Sequence, residues 1–212
     1  MQNTNILMVG LDCVGKDTIS DLVQKTENGI ELHTFSKHMT DHIKRLPEAL
    51  RPDKLGDASP SVRKTLQMFA CAEILVPSSK DKIILGQLII DDKGIFTSGL
   101  VEAKAMLNIM GVELILMLTA DPDTISKRRE KYISKTKSHN LPATTETDIS
   151  RIRTHQEMEK RNAANVALNN QIRFVELEND GESIDAKNET AKNVLELINR
   201  IRDEKILGVS EK

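Results

Sequence analysis

The sequence predicts an α/β fold built on a doubly wound parallel sheet of five strands. Five short apolar runs alternate along the chain with segments whose apolar residues recur at helical spacing, which is the pattern of consecutive strand–helix units. The first apolar run leads directly into a glycine-rich stretch and then into a helical pattern. With 212 residues, of which 39% are hydrophobic, the chain has the size and composition of a single domain with its own core.

The strand predictions rest on apolar runs. The first, third and fourth runs are nearly continuous, as expected for parallel strands that helices cover on both faces. We expect strands at residues 5–9, 31–35, 82–90, 113–119 and 172–177.

Helices are predicted where apolar residues share one helical face. Asp121 precedes Pro122, a favourable N-cap arrangement for the fifth helix. We expect helices at residues 16–26, 37–46, 60–75, 98–109, 122–135, 146–168 and 186–204. In the third helix, the residues predicted to lie in the core are Met68, Phe69, Ala72 and Leu75.

Two segments lack apolar periodicity and are predicted to connect elements. Residues 46–60 contain three of the six prolines. Residues 134–147 are polar, and we interpret them as part of a mobile lid segment at about 128–150.

Residues 10–16, between the first strand and the first helix, have the G-x-x-x-x-G-K spacing of a phosphate-binding loop. Its glycines let consecutive backbone N–H groups point at a phosphate, and Lys16 would reach the β- and γ-phosphates. The sequence therefore predicts a P-loop NTPase fold that binds a nucleotide, and the loop alone leaves a switch GTPase, a motor ATPase and a small-molecule kinase open. The predicted cofactor-binding residues are Gly10, Asp12, Cys13, Val14, Gly15, Lys16, Asp17 and Thr18.

The position after the lysine usually carries Ser or Thr, whose hydroxyl binds Mg²⁺, and here it is Asp17. Because Mg²⁺ takes oxygen ligands, Asp17 and Thr18 are the predicted metal-site residues. Thr18 is also expected near the α-phosphate.

A run of positive charge follows the fourth predicted strand, and within it only Glu130 is acidic. Phosphoryl transfer needs cations around the moving group, because charge builds on its oxygens. We predict catalytic roles for Arg128 and Arg129 together with Lys16, and lid roles for Arg151 and Arg153. The alternative is a solvated, charged helix end. The cluster comprises Lys127, Arg128, Arg129, Lys131, Lys135 and Lys137.

These motifs together resemble the archaeal-type adenylate kinase family. The resemblance is carried by the loop at 10–18, the basic helix at 127–131, the stretch His-Gln-Glu-Met at 155–158 and the stretch Arg-Asn-Ala-Ala at 161–164, and more loosely by 34–39. It implies a P-loop kinase domain spanning 1–212 that uses ATP and Mg²⁺, with AMP as acceptor and often a trimeric assembly.

The resemblance also places acceptor-binding helices at about 36–76, with Ser36, Lys37 and Arg63 as substrate-binding residues. One departure concerns the third strand, which in the family ends in Asp followed after one residue by His. Leu85 and Gln87 stand at those places here.

The departure keeps two alternatives open. One is a nucleotide-binding protein with weak or no kinase activity that acts as a sensor or partner, and the other is a kinase for another (deoxy)nucleoside monophosphate. Asp17, Asp91 and Asp92 are the candidates to replace the missing carboxylate.

Composition argues against several other classes. A net charge of −2 gives no basic field for nucleic acid. The apolar runs are far too short to span a membrane. The two cysteines, Cys13 and Cys71, match no metal or redox spacing, which favours a cytoplasmic protein. His38 and His42 have a zinc-compatible spacing, but an acceptor-site or surface helix is the preferred interpretation.

Overall fold

A computed structural model describes residues 3–53, 55–92, 95–99, 103–136 and 148–207. The strands are β1 (Asn5–Val9), β2 (Ile30–Thr34), β3 (Asp81–Leu85), β4 (Ile89–Asp92), β5 (Ile95–Ser98), β6 (Val112–Thr119) and β7 (Arg173–Glu178). The α-helices are α1 (Lys16–Thr26), α2 (Phe35–Ile43), α3 (Pro60–Ile74), α4 (Ala103–Ile109), α5 (Pro122–Thr136), α6 (Ile149–Asn170) and α7 (Ile184–Leu207).

The predicted five-stranded parallel sheet is confirmed. Its strand order is β2-β3-β1-β6-β7, and every neighbouring pair is parallel. In register, Leu7 of β1 lies between Ile84 of β3 and Ile115 of β6. The chain leaves β1 for one side of the sheet and later returns to the other side, so the carboxyl end of β1 is a topological switch point, where such sheets bind ligands.

The sheet separates two hydrophobic clusters, because successive side chains of each strand point to opposite faces. Leu7 and Val9 of β1 pack with residues of α2, α3, α4 and α6. Ile6 and Met8 pack on the other face with residues of α1, α5 and α7. The strands of the sheet's centre are therefore covered on both faces, which explains their continuous apolar runs.

The predicted strand at 82–90 is wrong in its extent. β3 ends at Leu85, and Ile89 begins a strand that pairs antiparallel with β5 outside the main sheet. The amides of Leu88 and Ile89 donate to the Glu159 carboxylate of α6, so they are satisfied without a neighbouring strand. The predicted helix at 98–109 is also too long, because Ser98 ends β5 and the described helix begins at Ala103.

The core face predicted for α3 is wrong as well. Met68 is 59% exposed and Phe69 is 42% exposed, and Ala72 and Leu75 are exposed too. The buried face of α3 carries Leu66, Gln67, Ala70, Cys71 and Ile74. Apolar residues occur on both faces of this helix, so their spacing alone did not identify the packed one.

The cap predicted at Asp121 is confirmed, and a second aspartate, which was not predicted as a cap, stands at the start of α6. The Asp121 carboxylate accepts from the amide of Asp123 at 2.8 Å, at the start of α5. Asp148 caps α6 by accepting from the amide of Arg151 at 3.1 Å. Residues 137–147 of the predicted lid, which include Lys137, lie outside the described residues. Within the described ranges, none of the helices is both long and apolar enough to cross a bilayer.

Candidate functional site

The loop between β1 and α1 has the backbone of a tight, helix-opening turn. Its φ angles are positive at three residues: 143° at Gly10, 70° at Cys13 and 106° at Gly15. Gly15 is the N-cap of α1 and has no side chain with which to cap the helix. The first amides of α1 are therefore left to interact with a ligand, and the helix dipole favours an anion there.

Both loop glycines are required by close neighbours as well as by their φ angles. A Cβ atom on Gly10 would overlap the carbonyl oxygen of Leu118, at the end of β6. A Cβ atom on Gly15 would overlap the side-chain amide of Asn179, which follows β7. The loop thus packs against the carboxyl ends of both β6 and β7.

Lys16 lies across the loop that it follows. Its ammonium group donates to the carbonyl of Gly10 and, at 2.9 Å, to the carbonyl of Leu11. These contacts keep the positive charge at the loop, where the sequence predicted a phosphate-binding lysine.

The structure brings both predicted arginines of α5 to the loop. Arg128 donates to the carbonyls of Val14 at 3.1 Å, Asn179 at 2.9 Å and Gly181 at 3.2 Å, so it braces the loop against the segment after β7. Arg129 is only 3% exposed.

The positive charges of these side chains affect the pKa of the Cys13 thiol in the loop. Burial and the charge of Asp12 raise the pKa of Cys13, while the charges of Arg129, Lys16 and Arg128 act in the opposite direction. Three positive charges therefore converge on one loop, which suits an anionic ligand.

The predicted lid arginines lie on α6, and the segment that would carry a lid precedes them outside the described residues. The Arg151 guanidinium lies over the ring of Phe96 in β5, 5.6 Å from its centroid. Arg153 is exposed. The structure thus brings Arg151 to the β4–β5 hairpin.

A cavity of about 490 Å³ lies beside α1, the helix that the phosphate loop opens. Asp17, in the first turn of α1, and Lys37 of α2 both line it. Of the predicted acceptor residues, Lys37 lines this cavity and Ser36 and Arg63 do not; Arg63 donates to the carbonyl of Gly56 at 3.5 Å. The lining comprises Asp17, Ser20, Asp21, Gln24, Leu32, Thr34, Lys37, His38, Asp41, Glu73 and Leu85.

One wall of the cavity is held by a hydrogen-bonded cluster centred on Glu73 of α3. His38 Nδ1 lies 2.7 Å from one Glu73 oxygen, and His42 Nε2 lies 3.0 Å from the other. His38 Nε2 in turn lies 3.1 Å from His33 Nδ1. Because His38 and His42 of α2 both contact Glu73 of α3, they join the two helices. Among the described residues, no group of three or more His, Cys, Asp or Glu side chains has the arrangement of a metal site.

The cluster perturbs two pKa values. The hydrogen bond from His38 holds the pKa of Glu73 below its ordinary value, helped by the charges of His42, His38 and Arg45. Burial, then the neighbouring His38, lowers the pKa of His33.

Sequence reasoning missed how α6 holds the carboxyl edge of the sheet. The Gln156 side chain makes two hydrogen bonds with the backbone of Ala120. Its amide group donates to the Ala120 carbonyl at 3.0 Å, and its oxygen accepts from the Ala120 N–H at 3.2 Å. His155 Nε2 lies 2.9 Å from the carbonyl oxygen of Ile89. The His-Gln stretch that supported the family resemblance therefore holds the start of β4 and the residue after β6 against α6.

Glu159 is the second residue that the sequence analysis missed. Its two carboxylate oxygens accept from the amides of Leu88 at 2.7 Å and Ile89 at 2.5 Å, and the residue is fully buried. Burial raises the pKa of Glu159 to about 7, against the opposing effect of these amides, of Lys16 and of the Gly10 amide. The helical spacing could have indicated a buried acid, because Glu159 shares one helical stripe with the other buried residues of α6. Those residues are Ile152, His155, Ala163 and Ala167.

Comparisons with known proteins support the fold. No family model and no curated protein matches the sequence. The chain is similar to the crystal structure of shikimate kinase from Bacteroides thetaiotaomicron, with a TM-score of 0.60 and 14% identity, over 92% of this chain and 98% of that one.

A second solved structure, a kinase-like protein from Chloroflexus aurantiacus J-10-fl, aligns with a TM-score of 0.53 and 14% identity, over 93% of this chain and 97% of that one. At this identity the likeness establishes the architecture, and neither neighbour is described as an adenylate kinase. The chain has the α/β fold of these kinases, a five-stranded parallel sheet flanked by helices, with its phosphate loop at the switch point.

Proposed function

We propose that the protein is a nucleoside-monophosphate kinase, with ATP as donor and AMP as the first acceptor to test. The observation that carries this proposal is the cavity beside α1, which has Asp17, the residue after the loop lysine, in its wall. A kinase needs a second substrate next to the terminal phosphate of the first. A phosphate loop followed by a helix that lines a cavity meets that need, whereas a switch or motor protein has no second substrate to bind beside its nucleotide.

In the proposed mechanism the loop amides and Lys16 bind the donor phosphates, with Thr18 near the α-phosphate. Lys16 exchanges its carbonyl partners for the β- and γ-phosphates. Arg129 contributes charge beside the loop, and Arg128 holds the loop in shape. Preorganised cations at the transferring group are the main contribution that a protein makes to this reaction.

The residues at the start of α1 fit Mg²⁺. Asp17 and Thr18 are both exposed there and both offer oxygen atoms, the ligands that this ion takes. The bound ion would neutralise charge on the β- and γ-oxygens. Asp17 also faces the cavity, so it can orient an acceptor as well as the ion.

A second candidate function is nucleotide binding with little or no phosphoryl transfer. Two observations favour it. The cavity lining contains four carboxylates (Asp17, Asp21, Asp41 and Glu73) but only one lysine, Lys37, which is unfavourable for the phosphate of an acceptor nucleotide. In addition, Leu85 ends β3 where the resembling family has an acid.

The test is ADP release from ATP and Mg²⁺ with each ribo- and deoxyribonucleoside monophosphate in turn. Lys16→Ala should abolish the reaction, and Lys25→Ala is its matched control, because Lys25 is exposed in the last turn of the same helix. We expect turnover that depends on a monophosphate and is lost in Lys16→Ala only.

The outcomes separate the candidates. Turnover with AMP supports the adenylate kinase assignment, and turnover with another monophosphate keeps the kinase and replaces the acceptor. If ATP binds without turnover for any acceptor, the kinase proposal is rejected in favour of the nucleotide-binding function.

We also propose that the chain forms a homo-oligomer, and the resemblance implies a trimer. The exposed apolar face of α3, which includes Met68 at 59% and Phe69 at 42% exposure, supports this. Light scattering of the purified protein should give a mass of at least twice the 23.7 kDa of one chain. A monomer at all concentrations would exclude it.

A further inference from the structure

Asn179, the first residue after β7, is buried against the phosphate loop. It is only 2% exposed, and its side-chain amide group donates to the Val14 carbonyl at 2.7 Å. Gly15 lies directly against the same amide group, because a Cβ atom at position 15 would overlap it. A larger residue at position 15 would therefore displace Asn179 from the Val14 carbonyl.

The backbone of Asn179 is anchored at both of its polar groups. Its N–H donates to the carbonyl of Thr119, the last residue of β6, at 2.8 Å. Its carbonyl accepts from the Arg128 guanidinium of α5 at 2.9 Å. Because these two hydrogen bonds fix the backbone, the Asn179 side chain reaches the loop from a fixed point at the carboxyl edge of the sheet.

The Val14 carbonyl accepts two side-chain hydrogen bonds, from Asn179 and, at 3.1 Å, from Arg128. A carbonyl oxygen has two lone pairs, so two donors from different elements fix the plane of the peptide between Val14 and Gly15. In a trans peptide the C=O and N–H bonds point in opposite directions. The Gly15 N–H therefore points away from Asn179 and Arg128, and the hydrogen bonds at the carbonyl strengthen it as a donor.

We propose that Asn179 is a positioning residue for the phosphates of the bound nucleotide, which acts through the Val14 carbonyl to aim the Gly15 N–H at them. The inference rests on the proposed function, in which the loop amides bind the donor phosphates. It adds to the loop motif at 10–18 a residue that lies 165 positions from Val14 in the sequence.

The alternative role is direct contact between Asn179 and the nucleotide. The Asn179 Oδ1 atom is buried and has no hydrogen-bond partner among the described residues. A buried acceptor of this kind gains from any donor that a ligand brings. The base and ribose of ATP offer N–H and O–H donors, whereas the phosphate oxygens are acceptors, so the two roles predict different ligand dependence.

Titration calorimetry with ATP and with inorganic tripolyphosphate, each with Mg²⁺, separates these roles. A peptide that is not held in place must be ordered when the phosphate binds, which lowers affinity. We expect Asn179→Ala to raise both dissociation constants at least fivefold and by a similar factor. Binding should not be abolished, because Arg128 still donates to the same carbonyl. A loss confined to ATP would overturn the inference in favour of direct contact at Oδ1.

Two further variants exclude effects of packing and stability. Asn179→Leu fills the space of the amide group but has no donor, so it should bind both ligands as weakly as Asn179→Ala. Asn5→Ala is the matched control, because the Asn5 amide group also donates to a distant carbonyl, that of Met110, at 2.7 Å, and its Oδ1 is also buried without a partner among the described residues. Asn5 begins β1 at the opposite end from the loop, so both dissociation constants should change less than twofold.

The wild type gives a readout that needs no variant to fold. In its NMR spectrum the Gly15 amide proton should shift downfield when tripolyphosphate is added, because a phosphate oxygen accepts from it. Absence of that shift in protein that binds tripolyphosphate overturns the inference. So do wild-type affinities in Asn179→Ala, or their recovery in Asn179→Leu.

The two proposals fail in different ways. If the wild type binds neither ATP nor tripolyphosphate, the proposed function fails and this inference falls with it. If the wild type binds ATP and turns over, Lys16→Ala does not, and Asn179→Ala behaves as the wild type, then only the role of Asn179 is rejected.

Discussion

At the residue scale, the phosphate loop depends on backbone conformations that few side chains tolerate. Gly10 and Gly15 have positive φ angles, and Cys13 adopts one at 70° although it carries a side chain. Left-handed conformations at non-glycine residues cost about 1–3 kcal/mol and persist where the surroundings enforce them. Here the surroundings are the ends of β6 and β7, so the loop is shaped before any ligand arrives.

Gly10→Ala tests this preorganisation. The new Cβ would overlap the Leu118 carbonyl at a φ of 143°, so we expect the free energy of unfolding to fall by about 1–3 kcal/mol and nucleotide affinity to fall as well. Gly56→Ala is the control, because a Cβ there meets nothing within 4 Å; it should change stability by less than about 0.5 kcal/mol. Urea unfolding measures the stability of both variants. Equal stabilities would contradict the close packing of Gly10 against the Leu118 carbonyl.

At the element scale, the sequence was informative where structure is local. The first strand, the loop and α1 follow one another in the sequence, and their predicted bounds, 5–9 and 16–26, match the structure. The boundary at Leu85 was not predictable from local pattern, because the run from Lys82 to Ile90 is largely apolar.

The apolar run from 82 to 90 is divided into two strands by a contact with a residue far along the chain. Leu88 and Ile89 turn away from the sheet toward Glu159, and only tertiary structure reveals the contact. The same limit applies to the packed face of α3 and to Asn179, whose side-chain amide donates to the Val14 carbonyl at 2.7 Å from 165 residues away.

The α2–α3 pair should lose stability in acid because of the Glu73 cluster. The pKa of Glu73 is lowered in the folded protein, so its ionised form contributes stability that is present above the unfolded value of 4.5 and is lost as pH falls through the folded value. The pKa of His33 is lowered too, so stability also declines as pH falls below 6.5, where the unfolded chain takes up a proton that the folded chain resists.

Glu73→Gln isolates the first of these effects. We expect the wild type to be more stable than Glu73→Gln above pH 4.5 and the difference to shrink below it, since both proteins then carry an uncharged group at position 73. Urea unfolding between pH 3 and pH 7 measures the difference, with the exposed Glu48→Gln as control. A difference that stays constant with pH would show that the charge of Glu73 does not join α2 to α3.

At the scale of the whole molecule, the candidate site is where separate parts of the fold meet. The phosphate loop contacts the segment after β7 through Asn179 and Arg128. The two hydrophobic clusters, one on each face of the sheet, both extend to the carboxyl edge at which the loop lies. A ligand on the loop therefore contacts elements that belong to both halves of the core.

Nucleotide binding should consequently raise the stability of the entire chain rather than of one segment. At a ligand concentration 100 times the dissociation constant, a ligand that binds only the folded state stabilises it by about 2.7 kcal/mol. For a chain of this size that corresponds to a rise in Tm of roughly 5–10 °C.

Differential scanning calorimetry with ATP and Mg²⁺ measures this shift. We expect a single transition that moves as a whole in the wild type and in Lys25→Ala, and no movement in Lys16→Ala. Chelation of Mg²⁺ should reduce the shift, because Asp17 then faces the phosphates without a cation between them. A transition that splits, with one part insensitive to ATP, would show that the loop is not coupled to both clusters. A shift that survives in Lys16→Ala would place the nucleotide elsewhere on the molecule.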